Sequence, residues 1–282
     1  MGDDRGVSRR SFLIGGAAVL GGSGLVVERI GVDKILRKVG LATSPDHHVA
    51  KNGAPVRTLR FESRAMQRTT QVAISAPAGV RGVIICLHGR GGSYRTAFDT
   101  LHIHDVVAAA RLPLAVVGVD GATSSYWHER RSGIDPQALI QDEVLPRVEA
   151  ELGGPVPLAL LGWSMGGYGA LLTAERHPQQ YRATVGTSPA LWRSPGETAP
   201  GAFDNAEDYR RNDVFSHVDA LASMTVRIDC GTSDPFIGAA RAFAAKLPEP
   251  NPGGFSAGFH DAPYWRSVAP AQIATIGSAL LG

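Results

Sequence analysis

The chain has 282 residues, 44% hydrophobic and 19% charged, which is the balance of a globular protein with ample apolar material for a core. Its formal net charge of +2 belongs to the first 44 residues, where 7 Lys or Arg stand against 4 Asp or Glu, leaving 21 against 22 in the remainder. A body this close to neutral excludes an electrostatic case for binding nucleic acid or an anionic membrane surface.

In chain order, Ser8-Arg9-Arg10-Ser11-Phe12-Leu13 carries the twin-arginine pattern, and a Gly/Ala/Leu-rich apolar stretch follows from Phe12 to about Val27. The stretch is short and diluted by glycine for a membrane span. Residues 1–44 therefore read as a twin-arginine signal peptide. The alternative is an N-terminal anchor, because no A-x-A site stands directly behind the apolar run and Ala42-Thr43-Ser44 is the nearest small-residue candidate. Either reading predicts export through the twin-arginine translocase in a bacterial or archaeal source, to a secreted, periplasmic or cell-envelope location. Residues 45–54 read as a polar linker and 55–282 as one domain.

Within that domain, apolar β-like runs recur at 71–75, 83–87, 114–119, 158–161, 183–187, 226–230 and 255–259. Several are solidly apolar, as expected of strands covered on both faces. Helical patterns separate them. Asp135-Pro136 sets a capping residue before a proline at the first helical position. Ile140, Val144, Val148 and Leu152 then mark one helical stripe, which Pro146 should kink or end early. Alternating strands and helices predict an α/β fold with a mostly parallel central sheet and helices on both faces. The segment 188–223 lacks a clear strand; it reads as a cap that shapes a pocket, or as a helical excursion around its own aromatic cluster. Cys86 and Cys230 each sit in an apolar run and read as buried free thiols, with no metal spacing and no cofactor motif.

The chemistry centres on Gly162-Trp163-Ser164-Met165-Gly166, a G-x-S-x-G pattern after an apolar strand and before a run of small residues. In that context it predicts a nucleophile elbow, with Ser164 lifted above the sheet. A serine hydroxyl needs an imidazole to take its proton, and the imidazole needs a carboxylate. Among the histidines that follow, His177 should cap a helix and His217 precedes no strand, whereas His260 lies on the loop after the last run. Asp234 lies just beyond the run 226–230 and is the expected acid, although Asp before Pro235 could simply cap a helix. Asp213 is the runner-up; Asp229 lies within a strand, and Asp261 is too close to His260 in sequence. Backbone N–H groups of Met165 and of Arg90, in His88-Gly89-Arg90-Gly91-Gly92, are the candidate oxyanion donors. His88 precedes the serine and reads as a structural loop residue. His102 and His104 should point to different faces and make a poor metal site. His47 and His48 read as solvated, and Tyr126, Trp127, Trp192 and Trp265 are possible pocket residues.

Ser164, Asp234 and His260, with residues 162–170, Cys230-Gly231 and Gly258-Phe259-His260 with Trp265, resemble the putative esterase branch of the α/β hydrolases. That branch includes S-formylglutathione hydrolase (esterase D), enterochelin-type and feruloyl esterases, and the antigen 85 mycolyltransferases. The resemblance spans about residues 70–280. It implies an eight-stranded α/β-hydrolase sheet, a Ser-His-Asp carboxylesterase acting on a small-molecule or lipid ester, and the Arg90 backbone in the oxyanion hole. Two departures matter: the twin-arginine leader is foreign to cytosolic esterase D, and Asp234 stands where antigen 85 usually places glutamate. The alternative the resemblance implies is acyl transfer to a cell-envelope glycolipid; a non-catalytic surface protein on this fold fits a complete triad least.

Overall fold

Three central strands are apolar from end to end, and all six residues of each are buried: β3 (Gly82–Leu87), β4 (Leu114–Val119) and β5 (Leu158–Trp163). With no polar face to offer water, such strands require cover on both sides. They lie at the middle of an eight-stranded sheet in a computed structural model that describes residues 42–282. The twin-arginine pattern and the apolar stretch behind it fall outside the described residues. Thr43–Gly282 forms one compact unit. No helix among the described residues is long and apolar enough to cross a membrane.

The remaining strands are β1 (Val56–Ser63), β2 (Arg68–Ser75), β6 (Tyr181–Thr187), β7 (Thr225–Gly231) and β8 (Gly254–Ser256), and the sheet order is β1-β2-β4-β3-β5-β6-β7-β8. β2 pairs antiparallel with β1 and β4, and all other neighbours run parallel. This is the mostly parallel sheet expected, with two differences. β1 was not anticipated, because Arg57, Arg60 and Glu62 leave it half exposed at the sheet edge and break its apolar alternation. The run 255–259 is a strand only through Ser256; the chain then leaves the sheet as a loop.

Helices α1 (Ile103–Ala109) and α6 (Ala262–Leu281) cover one face, where Val106, Val107, Ile273 and Ile276 join Ile84, Cys86, Val116 and Leu161 in one core cluster. Ile85 and Leu160 are equally buried but point to the opposite face, as alternation along a strand demands. Helix α2 runs 136–152, and Asp135 caps it by accepting from the N–H groups of Gln137 and Ala138. Pro146 does not end this helix, but the regular α winding is broken just before it. The turn before it, Leu139–Val144, winds as a wider π-helix, and Leu145–Leu152 resumes the α form. The looser winding absorbs the proline's missing N–H and the pressure of its ring on the preceding turn. Helices α3 (Met165–Arg176), α4 (Ala206–Arg211) and α5 (Ile237–Ala244) complete the set.

Glu175, in the last turn of α3, is buried, and neither of its carboxyl oxygens has a hydrogen-bond partner among the described residues. Burial, reinforced by Asp213, pushes its pKa from the ordinary 4.5 up to about 9. The folded protein therefore keeps a proton that the unfolded chain releases, and stability falls as pH rises between those two values. Glu175→Gln has no such proton to lose. Urea midpoints measured from about pH 5 to about pH 9 should show the variant gaining on the parent as pH rises. Parallel curves would mean that Glu175 is not held neutral.

Candidate active site

β5 ends at Trp163 and α3 begins at Met165, so Ser164 alone makes the turn, at φ 56° and ψ −117°. A non-glycine residue there is strained and must be held by its surroundings. Its N–H donates to the Thr187 carbonyl at 3.0 Å, and its own carbonyl accepts from Tyr168 at 3.1 Å and Ala190 at 3.0 Å. The flanking glycines have a packing reason. A Cβ on Gly162 would collide with the Gly166 carbonyl, and one on Gly166 with the carbonyl of Leu87 at the end of β3. The elbow is thus clamped against the neighbouring strand, with the serine side chain at the carboxyl ends of the parallel strands.

Two further loops leave those same strand ends. After β7, Asp234 is fully buried, and its two oxygens do different work: Oδ1 accepts from the Phe236 N–H at 2.8 Å, and Oδ2 lies 2.8 Å from His260 Nδ1. Asp234 does not cap a helix, since the next one begins at Ile237 with Phe236 as its uncapped N-cap; the bond to Phe236 closes a turn and the other oxygen is free to orient the histidine. After β8, His260 turns its Nε2 to 2.8 Å from Ser164 Oγ. With Asp234 ionised, Nδ1 carries the proton and donates to it, and Nε2 is left to accept the serine O–H. The two loops are laced together, since Thr232 donates to the Ser256 carbonyl at 2.8 Å and Ser233 to that of Gly258 at 3.0 Å.

The other acids and histidines are engaged elsewhere. Asp213 caps a short 3₁₀ turn, accepting from Phe215 N–H and Ser216 Oγ. Asp229 is buried in a bidentate pair with Arg227 and also accepts from Gln272. Asp261 caps α6 through the Tyr264 N–H. His177 ends α3, and His217 lies between two 3₁₀ turns. His102 and His104 both approach Asp105, at 3.6 and 3.8 Å, and no cluster among the described residues could hold a metal ion.

β3 and β5 are paired through Leu87 and Gly162, which sets the loop after β3 directly beside the elbow. A Cβ on Gly89 would stand 3.3 Å from Ser164 Cβ. Gly91 and Gly92 donate their N–H groups to the carbonyls of Thr123 and Gly89. Arg90 follows Gly89 in this loop, and Met165 is the first residue of α3, directly after the serine. His88 holds this loop from below: Nδ1 donates to the Gly89 carbonyl at 2.8 Å and Nε2 accepts from the Gly121 N–H at 3.3 Å. Burial holds its pKa below the usual histidine range, so it stays a neutral brace.

Aromatic rings run in a row past the histidine, with Tyr126 to Trp192 at 5.5 Å, Trp192 to Phe236 at 5.6 Å, Phe236 to His260 at 5.3 Å and His260 to Trp265 at 5.3 Å. Segment 188–223 supplies Trp192, and its Phe203 and Tyr209 pack beneath in a cluster with Tyr126 and Tyr168, so it both carries its own cluster and edges the site. Trp127 is a correction. It is wholly buried, its indole donates to the His88 carbonyl at 3.1 Å, and its ring fills the space left by Gly121 and Gly169. It supports the loop after β3 rather than facing a pocket. Phe236 was not foreseen, although its place two residues after the acid was the available signal.

The profile of the family described as Putative esterase matches residues 63–251. No curated protein matches the chain. Among solved structures, a ferulic acid esterase superposes with a TM-score of 0.70 at 19% identity, over 81% of this chain and 100% of that one. An S-formylglutathione hydrolase from Agrobacterium tumefaciens superposes at 0.69 with 14% identity, over 85% and 100%. MPT51 (FbpC1) of Mycobacterium tuberculosis does so at 0.66 with 20% identity, over 80% and 99%. At these identities the likeness establishes the α/β-hydrolase fold.

Removing a fully buried indole leaves a cavity that close-packed neighbours fill only in part. Trp127→Ala should lower unfolding stability by about 3–5 kcal/mol in urea titrations. A loss under about 1 kcal/mol would show that the loop does not rest on this side chain.

Proposed function

The chain belongs to the Putative esterase family and is an ester-hydrolysing enzyme, and from that premise we propose that it is an exported serine carboxylesterase working through Ser164, His260 and Asp234. The observation that carries the reading is His260 standing 2.8 Å from both Ser164 Oγ and Asp234 Oδ2. In the first half-reaction, Ser164 Oγ attacks the ester carbonyl carbon as its proton passes to His260 Nε2. Asp234 accepts from Nδ1 throughout, which keeps the acceptor nitrogen aimed at the serine and stabilises the imidazolium. The tetrahedral oxyanion is taken up by the N–H groups of Met165 and Arg90, each such donor being worth about 3 kcal/mol to the barrier. Collapse breaks the bond to the alkoxide, which leaves with the proton from Nε2. Water then gives a proton to the same nitrogen and attacks the acyl carbon; the bond to Ser164 Oγ breaks, Oγ takes that proton back from Nε2, and the acid leaves.

The row Tyr126, Trp192, Phe236 and Trp265 beside His260 supports an ester with a flat or apolar group next to the scissile bond. The resemblance to the ferulic acid esterase points the same way. The twin-arginine pattern at Ser8–Leu13 supports export of the folded enzyme through the twin-arginine translocase.

With p-nitrophenyl acetate and butyrate, Ser164→Ala should lower kcat by about 10⁴-fold or more, and Asp234→Asn by about 10³- to 10⁴-fold. Asp213→Asn should stay within about threefold of the parent. Near-native turnover by Ser164→Ala would remove the mechanism, and equal small losses from the two aspartate variants would reassign the acid.

A further inference from the structure

The segment between Thr43 and β1 has no regular structure, yet it is bonded to the domain at several points, the first of them beside the catalytic loop. Ser44 Oγ accepts from the Phe259 N–H at 2.9 Å, so a residue 215 positions earlier grips the backbone immediately before His260. Two residues on, the Asp46 carboxylate takes a bidentate pair of bonds from Arg266, with Nε at 2.8 Å and Nη2 at 2.6 Å. Arg266 Nη1 donates to the Thr100 carbonyl at 3.0 Å, so each of the three guanidinium nitrogens has a partner. Farther along, Val49 packs on the core, Gly53 N–H donates to Asp105 Oδ1 at 2.8 Å, and Ser75 Oγ donates to the Ala54 carbonyl at 2.7 Å.

What this contact holds is the loop that carries His260, which leaves the sheet from its shortest strand. Strand β8 has only three residues and lies at the sheet edge, so the His260 loop gains little from the ladder. Gly258 sits at φ 156° with its Cα against the Tyr264 ring, so the turn is made by a residue without a side chain of its own to anchor it. On one side the loop is tied to the acid loop, through Ser233 and the Gly258 carbonyl. On the other side Ser44 ties it at Phe259. Beyond His260 the chain enters α6, and Arg266 in its first turns is where Asp46 pulls. The Asp46 and Arg266 side chains are 25% and 18% exposed, sheltered enough for a bidentate pair to keep its geometry.

We propose that residues 44–46 form a positioning strap: Ser44, with the Asp46–Arg266 pair, sets the His260 loop in the one placement that aims Nε2 at Ser164. The strap rests on the reading of His260 as the base. Its residues touch neither substrate nor reacting atoms; they act through Phe259 and the start of α6. A fully active mature enzyme therefore keeps Ser44, and removal of the leader ends at or before Thr43.

The test uses the full chain with p-nitrophenyl butyrate. Ser44→Ala and Asp46→Ala should each lower kcat about 3- to 10-fold, with KM within about twofold and the acid limb of the kcat profile displaced. Ser44→Thr, which restores the acceptor oxygen, should recover most of the loss. His260→Ala is the companion variant and should be inactive. The strap is overturned if His260→Ala is dead while Ser44→Ala and Asp46→Ala keep the parent kcat and pH profile. It is also overturned if their losses follow unfolding midpoints and Ser44→Thr rescues nothing. Activity in His260→Ala would overturn the assignment of the base itself, and the strap with it.

Discussion

An imidazole accepts a proton at one nitrogen only while the other nitrogen carries one, and in this chain the Asp234 carboxylate makes that choice for His260. Everything else around the site serves to bring three loops from three strands to within one hydrogen bond of each other. Asp234 is buried, and half of its hydrogen-bonding capacity is spent on the Phe236 N–H, which leaves one oxygen aimed at Nδ1. A carboxylate so divided has little freedom to turn away. The imidazole it orients stands in an aromatic frame between Phe236 and Trp265, which limits its rotation as well.

The sheet explains why these loops meet. The chain winds outward in opposite senses from β3, so the loops following β3 and β5 emerge side by side at a switch point of the topology. The backbone at that point is crowded to the limit. Only glycine fits at 162 and 166, and Ser164 accepts a strained φ because Thr187, Tyr168 and Ala190 hold its backbone groups. A buried arginine–aspartate pair, Arg227 and Asp229, adds a second tie. It binds β7 to β8 through the Gly254 N–H and to α6 through Gln272 and Thr275, under the loop that carries His260.

Much of this was legible in the residues, for identifiable reasons. Central strands announce themselves because burial on both faces forbids polar residues, and the elbow does so because its glycines have no substitute. Asp234 and His260 could be found because each follows an apolar run and the order Ser, Asp, His is restrictive. Strand β1 was hidden by edge exposure, where Arg57 and Arg60 are tolerated. The form of the break at Pro146 was not legible, because a π-helical turn can take up a proline that an α-helix cannot. Trp127 was ambiguous because a tryptophan near a site reads the same whether it faces substrate or supports a loop; only its complete burial against Gly121 and Gly169 decides. The contact between Ser44 and Phe259 joins residues far apart in the chain through a side chain with no distinctive pattern, so nothing in the sequence could have pointed to it.

The central claim is that the Ser164 hydroxyl, and no other, becomes the covalent nucleophile through His260. Treatment with a fluorophosphonate, followed by mass spectrometry of the digested protein, measures this directly. The account predicts a single phosphonyl adduct per chain, on the peptide that contains Ser164, formed in parallel with loss of esterase activity and strongly slowed in His260→Ala. An adduct on another residue, or esterase activity that survives complete modification of Ser164, would contradict it.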